Sequence, residues 1–477
     1  MLRRGAPLVC QSEHADRGSK GVVMTMSLIR QLGHLPRNAG LFALAVVAAI
    51  AATHASAQSV YARGAAIVSV EVDPDSARAA TPALGALVAE ALQHNPELRA
   101  AAKETEAAGE RVRPAGALED PMLEAGLLNA PFQPFSLNRV DMTMKMLGLS
   151  QKLPYPGKRA LREQVAAKDA ETIGHGLRET TNRVVRDVKL AYFDLALTDE
   201  TVRLLQGNRQ ILDQFLRIAE SRYAVGQAAQ ADVLKAQTQL GRMSEELLRM
   251  ERERPVMEAE LVRLLGRRGN ASPIAVELPG LRDAALDLES LQETALRERP
   301  QLLGLQSAID RSGKTLELAR KESQPDFDLR FSYGQREKDL AGMPREDLVS
   351  FTVAMNLPVW RQDKTEPRIA EAQALREQTL EVQRAQQNEV LAKLRQQVAI
   401  AEQSRKSVRL YETGILPQAR LAVEASLSGY KVSRADLLML LDSQMTLFNY
   451  EISRAKELVN FNKALAEIEL LTGKGRY

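Results

Sequence analysis

The sequence is poor in the residues that form thiol sites and compact aromatic cores. Cysteine occurs once, as Cys10, and aromatic residues make up 4% of the 477 residues. The formal net charge is only +3, so the composition shows no strong electrostatic footprint of a nucleic-acid-binding protein. Charged residues reach 26%, and this composition favours long helices with a narrow apolar stripe.

The sequence also lacks a long apolar run. The segment Gly40–Ala52 has 13 residues, too few to cross a bilayer as a helix. It follows basic residues and precedes Ala55–Ala57, the order of a secretory signal peptide. We therefore interpret residues 1–57 as an upstream extension and signal peptide, with translation starting at Met24 or Met26. The exported chain then has no cysteine, so we expect no lipid anchor.

Motifs for catalysis are missing as well. The sequence has no P-loop, no G-x-S-x-G, no H-E-x-x-H and no pair of cysteines. His94 and His175 are the only histidines after residue 57, and we interpret them as surface residues. We predict that the protein is not an enzyme and has no metal site and no cofactor.

Most of the chain consists of two copies of one unit. Leu87–Pro96 matches Leu291–Pro300 at a shift of 204, and later Tyr223 matches Tyr430 at a shift of 207. A unit of this size is too long for a solenoid repeat. The three additional residues of the second copy lie before its Tyr430, which suggests that the copies differ near this point. The predicted regions are an extended arm (58–86), a first structural repeat (87–272), a linker (273–288), a second structural repeat (289–473) and a short tail (474–477).

Each copy contains a very long helical pattern. Between Lys158 and Tyr223 there is no proline, and apolar residues recur at alternating steps of four and three. This heptad spacing predicts a coiled-coil-like helix about 100 Å long. A similar pattern covers 364–430, where Asp363 and Glu366 have the spacing of a capping box.

Four short segments alternate between apolar and polar residues, as strands with one apolar face do. Their length suits tilted transmembrane strands. Met142, Met144 and Met146 form one such row, and we favour a lipid-facing row over a soft-metal site. Tyr155 and Trp360 lie at strand ends, where membrane-interface aromatics belong. The predicted strands cover about 121–129, 140–153, 326–335 and 347–357.

Four strands are too few to close a membrane barrel, and an open sheet edge in lipid leaves backbone groups unpaired. If the strands span a membrane, the chain must therefore oligomerise, and three copies would supply twelve strands. The alternative is a soluble, exported coiled-coil protein with hairpins at its ends. Strand length and export favour the membrane interpretation.

The duplicated order of helix, two strands, long helix and helix resembles that of the TolC-type outer membrane efflux proteins. Tyr223–Gly226 leading to Asp232–Gln237, and Tyr430 leading to Leu441–Gln444, resemble the tips of their helix pairs. The resemblance implies a mainly α fold with a small membrane β-barrel portion: a homotrimer with a 12-stranded β-barrel and a 12-helix α-barrel. Ser150–Arg159 (SQKLPYPGKR) is most similar to members that work with heavy-metal cation pumps.

The resemblance also implies a location and partners. Such a protein is a passive exit duct in the outer membrane of a Gram-negative cell and extends into the periplasm. Its partners are a periplasmic adaptor protein, an inner-membrane pump of the proton-driven resistance-nodulation-division type, and outer membrane lipid, with no nucleic acid. A type I protein-secretion channel is the alternative within this class.

The resemblance finally implies that the helical tips close the channel. Carboxylates there, Asp232 and Asp436, are candidates for bracing the constriction, although both also lie where they could stabilise a helix N-terminus. Gly226 and Ser433 are candidates for adaptor contact, or simply break the helix. The complete set of candidate gating residues is Arg222, Tyr223, Asp232, Tyr430, Arg434 and Asp436.

Overall fold

A computed structural model describes residues 82–268 and 273–473. The predicted signal peptide, most of the predicted arm and the tail therefore lie outside the described residues. The first described helix begins at Pro82, inside the segment predicted to be an extended arm. No helix in the described ranges is long and apolar enough to cross a membrane.

The first repeat begins with three short helices and continues with a hairpin and two long helices. Helix α4 covers 67 residues without interruption, as the heptad pattern predicted. The elements are α1 (Pro82–His94), α2 (Pro96–Glu110), α3 (Val112–Gly116), β1 (Met122–Leu128), β2 (Met144–Leu153), α4 (Lys158–Ala224) and α5 (Gln230–Leu265).

The second repeat has the same order, but its long helix is interrupted. Two π-helical turns, Arg361–Thr365 and Tyr411–Ile415, lie before and within it. The elements are α6 (Leu288–Glu298), α7 (Pro300–Lys321), β3 (Phe327–Gln335), β4 (Leu348–Met355), α8 (Glu366–Leu410), α9 (Leu416–Lys431) and α10 (Leu437–Thr472). The predicted capping box at Asp363 is wrong: Thr365 precedes α8, and its side chain makes no capping hydrogen bond. The π-turn there already connects the backbone groups that a cap would satisfy.

The helices pack as a layer with two tiers. Near the strands, α4 packs against α2, α3 and α7, and α7 packs against α8. Towards the helical tips, α4 lies between α5 and α10, and α10 packs against α8 and α9. Helix α4 is therefore central in both tiers, whereas α5 and α9 lie at opposite edges of the tip-proximal tier.

The predicted apolar seam of α4 forms the core of this layer. Val184, Leu195 and Leu212, which lie on this heptad spacing, are fully buried, whereas Arg209, a charged residue on the same spacing, is exposed. In the second repeat Leu394 and other predicted seam residues are also buried. Apolar burial along one stripe stabilises each long helix by its contact with neighbours.

The four strands form one antiparallel sheet in the order β1-β2-β3-β4. Both β1 and β4 are edge strands within the protomer. The register aligns one apolar face across the sheet, and its side chains are largely exposed. This face includes Leu123, Leu127, Leu147, Leu149, Leu329, Phe331, Tyr333, Val349, Phe351, Val353 and Met355.

The predicted orientation of the methionine row is wrong. Leu147 and Leu149 of β2 share the apolar face, so Met144 and Met146 point to the opposite side. Met144 is buried there against Gly334, where an added Cβ would contact its sulfur. The alternation from 141 to 146 places three methionines in one row, but the register with β3 shows that the apolar face of the sheet continues from the other row, through Leu147 and Leu149.

The register between the repeats changes by one residue inside the second long helix. Buried positions match at a shift of 206 near the middle of the helices and at 207 near the tips, where Ala219 matches Ser426. The π-turn Tyr411–Ile415 lies between these regions, and a π-turn contains one more residue than an α-turn. The positions that match at 206 are Val184 with Val390, Val188 with Leu394, Tyr192 with Val398, and Leu195 with Ala401.

A polar junction connects the two repeats where the strands meet the helices. Lys158, the first residue of α4, has a side chain only 3% exposed. Its Nζ donates to Asp326 Oδ1 at 2.8 Å and to the Gln324 carbonyl at 2.9 Å. Asp326 Oδ1 also accepts the Tyr155 N–H at 2.7 Å. The junction thus fixes the start of α4 against the segment that leads into β3.

Candidate functional site at the helical tips

The long helices of both repeats end in the same backbone motif. Gly226 (φ 74°) and Ser433 (φ 61°) are both left-handed. In the first tip, Gln227 N–H bonds the Arg222 carbonyl at 2.8 Å, and in the second, Arg434 N–H bonds the Gly429 carbonyl at 2.9 Å. This is the hydrogen-bond pattern of a Schellman motif. Glycine adopts the left-handed conformation without strain, whereas Ser433 does so against a steric cost.

Arg222 connects the two tips. Its guanidinium donates from Nη1 to the Tyr430 carbonyl and from Nη2 to Ser433 Oγ. Its Cζ also lies 4.6 Å from the centroid of the Tyr430 ring. One side chain of the first repeat therefore satisfies the end of α9 and covers an aromatic ring in the second.

Tyr430 is the buried centre of this contact. Its side chain is 3% exposed and packs in the same cluster as Ala219, Ala236 and Leu437. Burial is the largest cause that raises the pKa of the Tyr430 hydroxyl; the Arg222 charge opposes it, and the Asp232 charge adds to it. The phenol therefore stays neutral between a cation and a carboxylate.

The carboxylates of the two tips differ in their roles. Asp436 is the N-cap of α10, and its Oδ1 accepts the Met439 N–H at 2.8 Å. The matching residue of the first repeat, Ala229, has no capping side chain. Asp232 lies in the first turn of α5, where a negative charge is favourable. Asp436 therefore stabilises a helix N-terminus, which is one of the two roles that its position in the sequence allowed.

The structure thus brings together four of the residues that the sequence singled out: Arg222, Asp232, Tyr430 and Ser433. Tyr223, the repeat counterpart of Tyr430, is 48% exposed, and Arg434 is exposed as well. Sequence reasoning missed that Arg222 binds a backbone carbonyl, because a carbonyl leaves no trace in the sequence. It also missed the exposed pair Val225 and Val432, which match at a shift of 207.

Metal-binding groups are not found in the described ranges. No cluster of three or more His, Cys, Asp or Glu side chains there could hold a metal ion. His94 is exposed, and His175 is half-buried against Gly304. Burial is the main cause that lowers the pKa of His175.

Comparison with known proteins finds similarity to outer membrane efflux proteins. Residues 87–267 match the model of the family described as "Outer membrane efflux protein". The chain is 24% identical over 322 residues to the cobalt-zinc-cadmium resistance protein CzcC of Cupriavidus metallidurans, covering 67% of this chain and 74% of CzcC. It is 23% identical to the outer membrane efflux protein BepC of Brucella suis, covering 66% of this chain and 68% of BepC.

A solved structure has the same fold. The crystal structure of CusC superposes with a TM-score of 0.71 at 14% identity, covering 82% of this chain and 92% of that one. The fold of this chain is therefore that of CusC, and its residues 87–267 match the outer membrane efflux protein family.

Proposed function

We propose that the protein is the outer membrane exit duct of a tripartite efflux system. The observation that carries this proposal is the exposed apolar face of the four-stranded sheet, held at one end of helices that have no such face. Phe351, at 68% exposure, and Val349, at 65%, belong to this face on β4. An apolar sheet face of this size needs lipid or another apolar surface.

The proposed assembly is a homotrimer. Both β1 and β4 lack a partner on one side within the protomer, and such edges in lipid must be paired. Pairing β4 of one subunit with β1 of the next closes twelve strands. Helices α5 and α9 lie at the edges of the tip-proximal tier and carry exposed Leu248 and Leu421, at 67% and 64%. The threefold rotation that pairs β4 with β1 would also bring α9 of one subunit next to α5 of the next.

The proposed partners are a periplasmic adaptor protein and a proton-driven inner-membrane pump of the resistance-nodulation-division type. The duct itself needs no cofactor, since the pump supplies the energy. The exposed Val225 and Val432, beside Gly226 and Ser433, are the proposed adaptor contacts. Because an adaptor would meet the tips in the periplasm, the sheet would lie in the outer membrane.

The proposed cargo is a divalent heavy-metal cation such as cobalt, zinc or cadmium. The support is the similarity to CzcC over two thirds of this chain. The decisive measurement is growth of cells that lack this chain, with and without a plasmid copy, on graded concentrations of these cations. Restored tolerance to the cations, but not to an apolar antibiotic, is expected. Equal sensitivity with and without the plasmid would sink the metal assignment.

We also propose that Arg222 keeps the resting channel closed by holding the two tips together. Replacing it with alanine removes both hydrogen bonds to the second tip. The expected result is a higher single-channel conductance of Arg222→Ala trimers in planar bilayers. Asp232→Ala is expected to raise conductance less, since Asp232 acts on the same site through its charge.

Asp436→Ala serves as the matched control for this gate. Its carboxylate caps α10 by accepting the Met439 N–H, whereas Arg222 bonds Tyr430 and Ser433, so helix stability should fall without a change in closed-state conductance. If Arg222→Ala conducts as the unchanged protein does, the proposed closure is wrong even though the duct function stands.

A further inference from the structure

The segment after β4 differs from its counterpart after β2 in one respect that bears on lipid. Three apolar residues in a row of four are open to solvent: Leu357 at 65%, Val359 at 70% and Trp360 at 72%. They continue the exposed apolar face of β4, whose last residues Val353 and Met355 are 54% and 57% exposed. The apolar surface thus extends beyond the strand to the start of the helical region.

The counterpart after β2 is covered by the same protomer. Tyr155 donates its N–H to Asp326, and Lys321 Nζ lies 5.9 Å from its ring centroid. Lys158 is drawn inward to Asp326 rather than outward to solvent. This cover comes from the segment that leads into the neighbouring strand, β3.

In a closed trimer, β4 pairs with β1 of the next subunit, as β2 pairs with β3 within one subunit. The repeat therefore identifies which residues of the next subunit lie where Asp326 and Lys321 lie beside Tyr155. At the shift of 204, Asp326 corresponds to Met122 of the partner subunit and Lys321 to Ala117 of the partner subunit. Lys158 corresponds to Gln362. None of the polar groups that form the first cover is present at the second.

Trp360 has no aromatic counterpart in the first repeat. At the same shift it corresponds to Pro156, which is exposed, whereas Tyr155 corresponds to Val359. The residues directly after it carry both signs of charge and are exposed: Arg361, Asp363, Lys364 and Glu366. An aromatic ring followed by mixed charges suits the boundary between acyl chains and zwitterionic phospholipid headgroups.

We infer that Leu357–Lys364 is a lipid anchor, with Trp360 in the headgroup region of the periplasmic leaflet, and that Tyr155 is not. The ligand is a zwitterionic phospholipid. This inference rests on the proposed outer membrane duct. It adds that the six strand-to-helix junctions of the trimer are of two kinds: the three after β4 bind lipid, and the three after β2 are covered by protein. The interface role predicted for both aromatics is thus restricted to one.

The test uses the fact that Trp360 is the only tryptophan of the chain. The full-length trimer is reconstituted into vesicles of phosphatidylcholine brominated either near the headgroup or near the chain ends. Bromine near the headgroup is expected to reduce Trp360 fluorescence by about half or more, and bromine at the chain ends much less. A Trp360 that neither lipid quenches would be covered by a partner subunit, and the inference would fail.

The matched control moves the tryptophan to the other junction. The double variant Trp360→Phe/Tyr155→Trp is expected to be far less quenched by both lipids. Equal quenching at positions 155 and 360 would overturn the proposed asymmetry. Conductance of the same vesicles tests the duct separately: quenched but non-conducting trimers would contradict the proposed function and leave the lipid contact standing.

Discussion

The two repeats share a fold but differ at the two ends of their long helices, where each repeat contacts the other. The first long helix, α4, is continuous, central in the layer and fixed at its start by Lys158. The second, α8 and α9, is interrupted by a π-turn and lies at an edge. At the tips the first repeat supplies the arginine and the second the buried tyrosine. Duplication thus provided two similar frameworks, and the contacts between copies made them different.

The largest expected difference in stability is between substitutions in α4, which is central, and in α9, which lies at an edge. Leu212→Ala removes a fully buried side chain from α4 and should destabilise the protein by about 3 kcal/mol or more. Leu421→Ala, on α9, should leave protomer stability nearly unchanged and weaken only subunit association. Chemical unfolding and trimer dissociation in detergent measure the two effects. Equal loss of stability in both variants would contradict the centre-and-edge arrangement.

The strand-to-helix junctions should differ next. Asp326→Ala leaves the Lys158 ammonium without its carboxylate, at an expected cost of about 2 kcal/mol, less than for a fully buried pair because the Asp326 side chain is 40% exposed. Gln362→Ala, at the matching position of Lys158, should change stability by less than about 0.5 kcal/mol. Thermal unfolding followed by circular dichroism distinguishes them. An unchanged midpoint in Asp326→Ala would show that the pair stabilises nothing.

Substitutions at the two N-cap positions of the tips should change stability in opposite directions. Asp436→Ala removes the N-cap of α10 and should cost about 1 kcal/mol. Ala229 has the same extended conformation, φ −80° and ψ 149°, so Ala229→Asp should stabilise α5 by a similar amount. Urea unfolding of both variants and of their combination checks this. Destabilisation by Ala229→Asp would mean that the first tip cannot accept a cap.

The smallest expected effect is a pH dependence confined to the first repeat. Both carboxylate oxygens of Glu90 accept from Arg267, at 2.6 and 2.7 Å, and this hydrogen bonding lowers the pKa of Glu90 against the opposing effect of burial. The stabilisation is therefore present above the ordinary pKa of about 4.5 and is lost as the pH falls through the lower folded value.

Glu90→Gln should accordingly reduce stability at pH 7 by less than about 1 kcal/mol and make acid unfolding less steep. Thr294→Val, at the matching position of the second repeat, should leave the acid dependence unchanged. Both are measured by urea unfolding at a series of pH values. An identical acid dependence in Glu90→Gln and the unchanged protein would show that Glu90 does not contribute to the pH dependence of stability.

The periodic parts of the fold could be predicted from the sequence, because burial repeats along them. The seam of α4, the four strands and the equivalence of Gly226 with Ser433 all follow from spacing. The orientation of Met144 could not be predicted, since a short period-two pattern defines two faces without saying which one continues the apolar face of the neighbouring strands. The π-turn replaced the expected cap at Asp363 because backbone groups found partners further along the chain.

The tip contact shows the same limit. The sequence indicated Arg222, Tyr430 and Asp232 through their resemblance to known tips, but it gave no reason to expect the first tyrosine outside and the second inside. That difference arises because Arg222 has no counterpart: Gly429 stands at its position in the second repeat. A single unmatched side chain therefore decides which of two equivalent tyrosines is covered.

The π-turn at Tyr411–Ile415 has a consequence for the rotational phase of the second long helix. One residue added to a regular α-helix turns everything after it by about 100° around the axis. Tyr430 would then point away from the first tip, and Ser426 would leave the buried stripe. Because the wider turn takes up the additional residue, the faces above and below keep their directions. The second long helix can therefore be one residue longer without a change in the direction in which the side chains of its tip point.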